Sequence, residues 1–240
     1  SEISQTEGID ICDKIQITAL SEEEVRQLVD KRLARVGKHL QPAVMKALLE
    51  KTEGKIKPST IPLWSVMMAR HLTLLNASYF DAQRQRTEAD DELKIQNSLI
   101  EIIEQANGYP ETLFMSIVAG ADLFVDLEFC IDVLRLLAVS EFGLRESDLH
   151  NLLGQKWDAL KWAETRRYLG PLLNVHEESG IIDFTYPNFR SELCIQAGDN
   201  LGPYLVALAD YMHHIVANNS LDLVANRELP YIALKTQSTE

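Results

Sequence analysis

Residues 141–193 read EFGLRESDLHNLLGQKWDALKWAETRRYLGPLLNVHEESGIIDFTYPNFRSEL, and this stretch decides the fold. Its apolar residues first recur at spacings of three and four. That predicts a short helix over Leu144 to Leu153, with Leu149, Leu152 and Leu153 inward, and a longer one over Trp157 to Leu173. Spacing of two then takes over. Asn174-Val175-His176 and Ile181-Ile182-Asp183-Phe184 flank Glu177-Glu178-Ser179-Gly180, the pattern of a hairpin around a glycine turn. Helical spacing returns after Tyr186-Pro187-Asn188-Phe189-Arg190. The order is that of a winged helix-turn-helix. Such a module reads nucleic acid or serves as an internal gear of a nucleotide-controlled switch, and the rest of the chain must separate the two.

Upstream, Phe124 to Val139 is nearly all apolar and is expected to form the central helix of this unit. Leu93 to Gln105 carries a helical stripe that Asn107-Gly108-Tyr109-Pro110 ends, and Pro110-Glu111 opens another helix. Asp81 to Glu92 is charged and reads as a linker or exposed helix end. Before it lies a bundle. Asp13 to Leu20 alternates like a short strand, and Ser21-Glu22-Glu23-Glu24 forms a capping box. A helix carrying Val25, Leu28, Val29, Leu33 and Val36 follows, with Gly37 as its stop. A second helix runs from Pro42 to near Gly54, Lys55 to Thr60 reads as a loop, and Pro62 suits the first turn of a third helix. Downstream, Leu201 to Ala217 is helical, and Asn226-Arg227-Glu228-Leu229-Pro230-Tyr231 starts a further element. The fold class expected is mainly α: a helical bundle, a winged helix-turn-helix with a short β-hairpin, and further C-terminal helices. The domain limits expected are 1–87, 88–196 and 197–240.

The chain has 240 residues and a net charge of −13. That charge repels a polyanion at long range and argues against nonspecific nucleic-acid binding. No apolar run approaches the roughly 18 residues of a membrane span, and the first ten residues lack the basic and apolar regions of a signal peptide. Cys12, Cys130 and Cys194 are far apart and odd in number, which favours free thiols in a reducing compartment. The polar, acidic start, with no preceding element to pack on, suggests a piece of something longer.

Trp157, Lys161, Trp162, Arg166, Arg167 and Tyr168 would suit a recognition helix in a major groove. The alternative is that the aromatic rings pack against the wing, whose Glu177 and Glu178 would face phosphate. His213-His214 splay across about 100° of helix and are poorly placed to chelate one metal. His39, His71, His150 and His176 have no ligand-spaced partner. The runs Asp90-Asp91-Glu92 and Glu22-Glu23-Glu24 sit at helix starts, where they complement the dipole. There is no phosphate-cradling loop and no nucleophile or zinc motif, so no catalytic residue is assigned.

The order of elements resembles the carboxyl-terminal half of a STAND-class ATPase module of the NACHT and NB-ARC type: helical lid, winged helix, and the start of a sensor array. Ile15-Gln16-Ile17-Thr18-Ala19-Leu20-Ser21-Glu22-Glu23-Glu24 is similar to that family's entry into the lid. Ile61-Pro62-Leu63-Trp64 resembles the lid motif whose proline lies beside the adenine ring. Phe184-Thr185-Tyr186-Pro187-Asn188-Phe189-Arg190 is similar to the winged-helix segment whose histidine contacts the β-phosphate of ADP. Here Tyr186 stands at that histidine and Pro187 at the acidic position after it. Arg227-Glu228-Leu229-Pro230-Tyr231 resembles the opening of the array beyond.

The resemblance implies nucleotide contact at Pro62 (adenine side), Tyr186 (phosphate-sensing position) and Arg190. It implies ADP or ATP with magnesium in a parent protein, with little or no binding by this chain alone. The implied partners are an upstream nucleotide-binding core of the same chain, neighbouring protomers on activation and a protein ligand sensed by the downstream array. Neither membrane nor nucleic acid is among them. The implied setting is cytoplasmic, in immune or antiviral defence signalling. The alternatives are a winged-helix DNA-binding regulator and a helical protein-binding scaffold.

Overall fold

The computed structural model describes residues 18–75, 91–170 and 172–237. Cys12, the Asp13 to Ile17 part of the expected lead-in strand and the Asp81 to Asp90 part of the expected linker lie outside them.

The chain folds as a mainly helical protein with one small antiparallel sheet. Helix α1 (Glu22–Ala34) starts at the expected capping box: the Ser21 hydroxyl accepts from the Glu24 amide and the Glu24 carboxylate accepts from the Ser21 amide. It buries Val25, Val29 and Leu33, one residue per helical turn, against α3. Gly37 then takes φ +68° in the turn that follows. Helices α2 (Pro42–Glu50) and α3 (Pro62–Leu74) both begin with proline, whose missing amide costs nothing at that position. The expected loop between them is more ordered than its composition suggests. Glu53 and Ile56 form a bridge, and Pro58–Thr60 is a 3₁₀ turn.

Helix α4 (Asp91–Gln105) packs on α2, and α5 (Pro110–Ala119) packs on α3, so packing joins the segments 1–87 and 88–196. Trp64 fixes this contact. Its indole is fully buried and donates to the Asn107 carbonyl at 2.7 Å. Helix α6 (Leu127–Val139), capped by the Asp126 carboxylate at the Phe129 amide, is the apolar helix anticipated at the centre of the second unit.

The winged helix then differs from expectation at its edges. Leu144–Arg145 is a strand, β1, rather than the start of a helix, and helix α7 covers only Glu146–Leu153. Helix α8 covers Ala159–Leu169, because the Asp158 carboxylate caps it through the Leu160 and Lys161 amides. Leu173 leaves that helix for β2 (Leu173–Val175). Strand β3 (Ile181–Phe184) lies between the other two, with Leu144 opposite Ile182 and Leu173 opposite Phe184. The sequence reading missed β1 because two residues carry no periodicity.

Helix α9 (Pro187–Ala197) packs on α5 and α6. Phe114 of α5 stacks on Phe189 at 4.3 Å between centroids and meets Phe184 edge-on at 6.2 Å. Burying a ring of that size removes roughly 150–250 Å² from water and stabilises by about 1.5–3 kcal/mol. Helices α10 (Gly202–Asn218) and α11 (Leu223–Gln237) pack on each other, and α10 also lies on α6 and α7. Pro230 does not open the last helix but sits inside it. Among the described residues, no helix is long and apolar enough to cross a membrane.

Candidate functional site

Pro62 is the first residue of α3 and half-buried, preceded by Ile61 with no side-chain cap. Tyr186 holds the equivalent position before α9, in extended backbone (φ −131°, ψ 125°), again without a side-chain cap. Its ring is half-buried and meets Phe189 edge-on at 5.4 Å, and its hydroxyl has no protein partner among the described residues.

These two helix starts lie at one end of the same layer. Trp64, two residues beyond Pro62, reaches Asn107 just before α5, and Asn188, two residues beyond Tyr186, donates to Glu111 in the first turn of α5 at 2.9 Å. The Glu53 carboxylate accepts from the Gly108 amide at the same end. The amino-terminal ends of α3 and α9 therefore both lie against the start of α5. None of the three has a side-chain cap, and α3 and α9 have no acidic residue in the first turn. Ser21, Asp126 and Asp158 close the starts of α1, α6 and α8, whereas α2 and α10 also begin without a side-chain cap. Uncapped amides at a helix start favour negative charge, and here the Glu53 and Glu111 carboxylates already stand at the start of α5.

Arg190 is placed otherwise. Its Nη2 lies 2.5 Å from Asp183, its Nη1 3.9 Å from Glu141, and its guanidinium 5.9 Å from the centre of the Phe184 ring. The side chain braces β3 to α9 and the turn after α6, while its Nε is buried without a hydrogen-bond partner.

The aromatic and basic helix α8 turns its rings inward. Trp162 and Tyr168 are buried, and Tyr168 donates to the Ile117 carbonyl at 2.5 Å. Trp157 packs between Phe129, His150 and Trp162. Lys161 pairs with Asp126 at 2.6 Å, which together with the Phe129 amide holds that carboxyl below its usual range. Arg166 pairs with Glu146 at 3.6 Å. The wing tip, with Glu177 and Glu178, is exposed and acidic. Arg167, the remaining cation of the helix, is exposed.

Sequence reasoning missed the groups that seat the last two helices. Glu228 is fully buried and accepts from the Ser140 hydroxyl at 2.5 Å, the Phe142 amide at 2.7 Å and the Glu141 amide at 3.1 Å. Arg227 lies over the Phe142 ring at 4.3 Å. Arg145 holds Asp222 through two nitrogens, at 2.8 and 3.2 Å, and Asp148 through Nε at 2.9 Å. Tyr211 donates to Asp148 and Tyr204 to the buried Asp132. Only the resemblance of Arg227 to Tyr231 marked this region beforehand.

Burial pushes the Cys130 thiol up to about 12, and the Cys194 Sγ lies 3.6 Å from the Ala138 carbonyl. Among the described residues, no group of three or more His, Cys, Asp and Glu is arranged to hold a metal ion. No protein-family model, no curated protein and no solved structure matches the chain.

Proposed function

We propose that the chain is the regulatory part of a STAND-class ATPase switch: lid helices, winged helix and the root of a sensor array. The observation that carries this reading is the shared end of α3 and α9. The two helices that begin at Pro62 and Pro187 are tied, through Asn107 just before α5 and Glu111 in its first turn, to the amino-terminal end of α5. In this reading ADP, with magnesium, lies against that end, its adenine beside Pro62 and its phosphates toward Tyr186. A tyrosine hydroxyl without a partner among the described residues is a donor available to a phosphate oxygen, though without the charge a histidine can carry.

The core that holds the remaining phosphate contacts is an upstream part of the same protein. ADP favours the closed arrangement of lid and winged helix on that core. Exchange for ATP, together with a protein ligand sensed by a downstream array, favours an open arrangement that assembles with neighbouring protomers. Nucleotide biases the equilibrium only by its differential affinity for the two arrangements. The proposed setting is cytoplasmic, in immune or antiviral defence. The buried rings of α8 and the pairing of its Lys161 and Arg166 favour this reading over DNA recognition.

The test is calorimetric titration of ADP and ATP into this chain and into one extended by about 200 residues at the amino terminus, the size of one more domain. Binding is expected only in the longer chain. Tyr186→Phe should weaken it by about 10- to 100-fold, the worth of one hydrogen bond to a charged group, and Pro62→Ala should weaken it as well. A well-folded longer chain that binds neither nucleotide would overturn the proposal.

A further inference from the structure

Helix α6, the turn after α7 and the start of α10 enclose a cavity of about 580 Å³. Leu136, Leu152, Leu153, Pro203 and Ala207 give it apolar walls, and a chain of polar contacts runs along it. Lys156 donates to the buried Asp132 carboxylate at 2.8 Å, the Tyr204 hydroxyl donates to the other oxygen of Asp132, and Arg135 donates to that hydroxyl at 3.3 Å. The Arg135 guanidinium also lies over the Tyr204 ring, 5.5 Å from its centre. Burial and the neighbouring Asp132 raise the Tyr204 pKa, so the hydroxyl keeps the proton it gives to Asp132 and turns a lone pair to Arg135.

The two cations are therefore unequal. Lys156 is neutralised by Asp132 and also meets Glu128 at 3.3 Å. Arg135 is half-buried, pairs with no carboxylate among the described residues, and gives one N–H to a neutral hydroxyl. A guanidinium held on an aromatic face, with the rest of its fork unused, is pre-organised for two parallel hydrogen bonds to a planar anion. A cavity of this size, apolar with a few convergent polar groups, is of the kind that takes small molecules.

We propose that this cavity binds a small organic carboxylate with an apolar body, the carboxylate on Arg135 and the body against Leu136, Leu152 and Leu153. One unpaired cation matches a monoanion, whereas a phosphate dianion would leave a charge uncompensated. Asp199 lines the same cavity, so the carboxylate belongs either to a simple acid or to an amino acid whose ammonium group meets Asp199. A bound ligand bridges α6 and α7 to α10 and stabilises their seated arrangement. The site shares no residue with the nucleotide end proposed above and stands or falls independently of it.

The experiment titrates sodium hydrocinnamate into this chain by calorimetry, with hydrocinnamyl alcohol as the uncharged control and free phenylalanine as the amino-acid probe. The wild-type chain should bind an acid about tenfold or more tightly than the alcohol, the worth of a hydrogen-bonded charge pair. Arg135→Gln should remove that advantage and leave alcohol binding unchanged, and Arg135→Lys, which keeps the charge but not the fork, should fall between. Ala207→Trp, at an exposed position, should obstruct all three probes. Each variant is checked for unchanged circular dichroism. Tighter binding of phenylalanine, reversed by Asp199→Asn, would mark an amino acid as the source, and equal or tighter binding of hydrocinnamate a simple acid. No binding of either acid, no preference over the alcohol, or undiminished binding by a well-folded Arg135→Gln variant would overturn the proposal.

Discussion

Replacing Glu228 with alanine should loosen α11 from the winged helix. The carboxylate is fully buried and takes three hydrogen bonds, from the Ser140 hydroxyl and the Glu141 and Phe142 amides. Alanine strands all three donors in a cavity. At about 1–3 kcal/mol for each buried donor left unpaired, and with partial rescue by entering water, the loss should be about 3–5 kcal/mol. Glu228→Gln keeps one acceptor oxygen but turns an amide group toward a donor, so its loss should be smaller, about 1–3 kcal/mol. Amide hydrogen exchange at Glu141 and Phe142 reads the effect locally, where a global melting curve would blend several units. A loss of 3 kcal/mol corresponds to roughly 100-fold faster exchange in the alanine variant. If both variants kept wild-type protection and lost less than about 0.5 kcal/mol, the carboxylate would not be the anchor of α11.

Other perturbations test the packing and the electrostatics. Phe114→Ala, which removes a fully buried ring from the Phe184 and Phe189 cluster, should cost about 3–5 kcal/mol in urea unfolding, whereas Leu221→Ala, at an 83% exposed position, should stay within about 0.5 kcal/mol. Gly143→Ala places a Cβ 2.5 Å from the Ile182 carbonyl at φ +79°, so it should disrupt β1 pairing, seen as loss of protection at Leu144 and Arg145. Gly180→Ala, at φ +65° with open space around it, should cost only about 1 kcal/mol by urea unfolding. The hydrogen bond from Arg145 lowers the Asp222 pKa in the folded protein. That contribution is present above the unfolded value near 3.9 and is lost as pH falls through the folded value. The melting-temperature difference between wild type and Asp222→Asn should therefore be full at neutral pH and shrink below about pH 4.

Local chemistry was legible in the sequence, and distant pairing was not. Ser21 and Glu24 announce a helix start because the residues that close it are three apart, and Pro62 and Pro110 announce theirs by a missing amide. The wing was visible as a switch of period around Gly180. Strand β1 was not, because Leu144 and Arg145 become a strand only through pairing with Ile182 and Ile181, far along the chain. The end of α8 was overrun for a similar reason: Leu173 continues the apolar pattern but is claimed by its partner Phe184.

The candidate site shows the same divide. Pro62 and Tyr186 were found by resemblance, and what brings their helices to one end is the pair of long-range bonds from Trp64 and Asn188. Arg190 looked available because nothing local predicts that Asp183, seven residues earlier, turns back across the strand to hold it. Nothing local in the sequence signals the burial of Glu228 or the reach of Arg70 to the Arg167 carbonyl. Their environments depend on segments 86 to 97 residues away.

In the proposed switch, nucleotide sets the arrangement of the lid and the winged helix. The most direct measurement is the distance between spin labels at Ala34 on α1 and Ile195 on α9, both exposed. It is made in the longer chain without reactive native thiols, with saturating ADP and then ATP. Two different distance distributions, the ADP one matching the arrangement described here and the ATP one shifted, are what a nucleotide switch requires. A single distribution in both states, with both nucleotides bound, would contradict it.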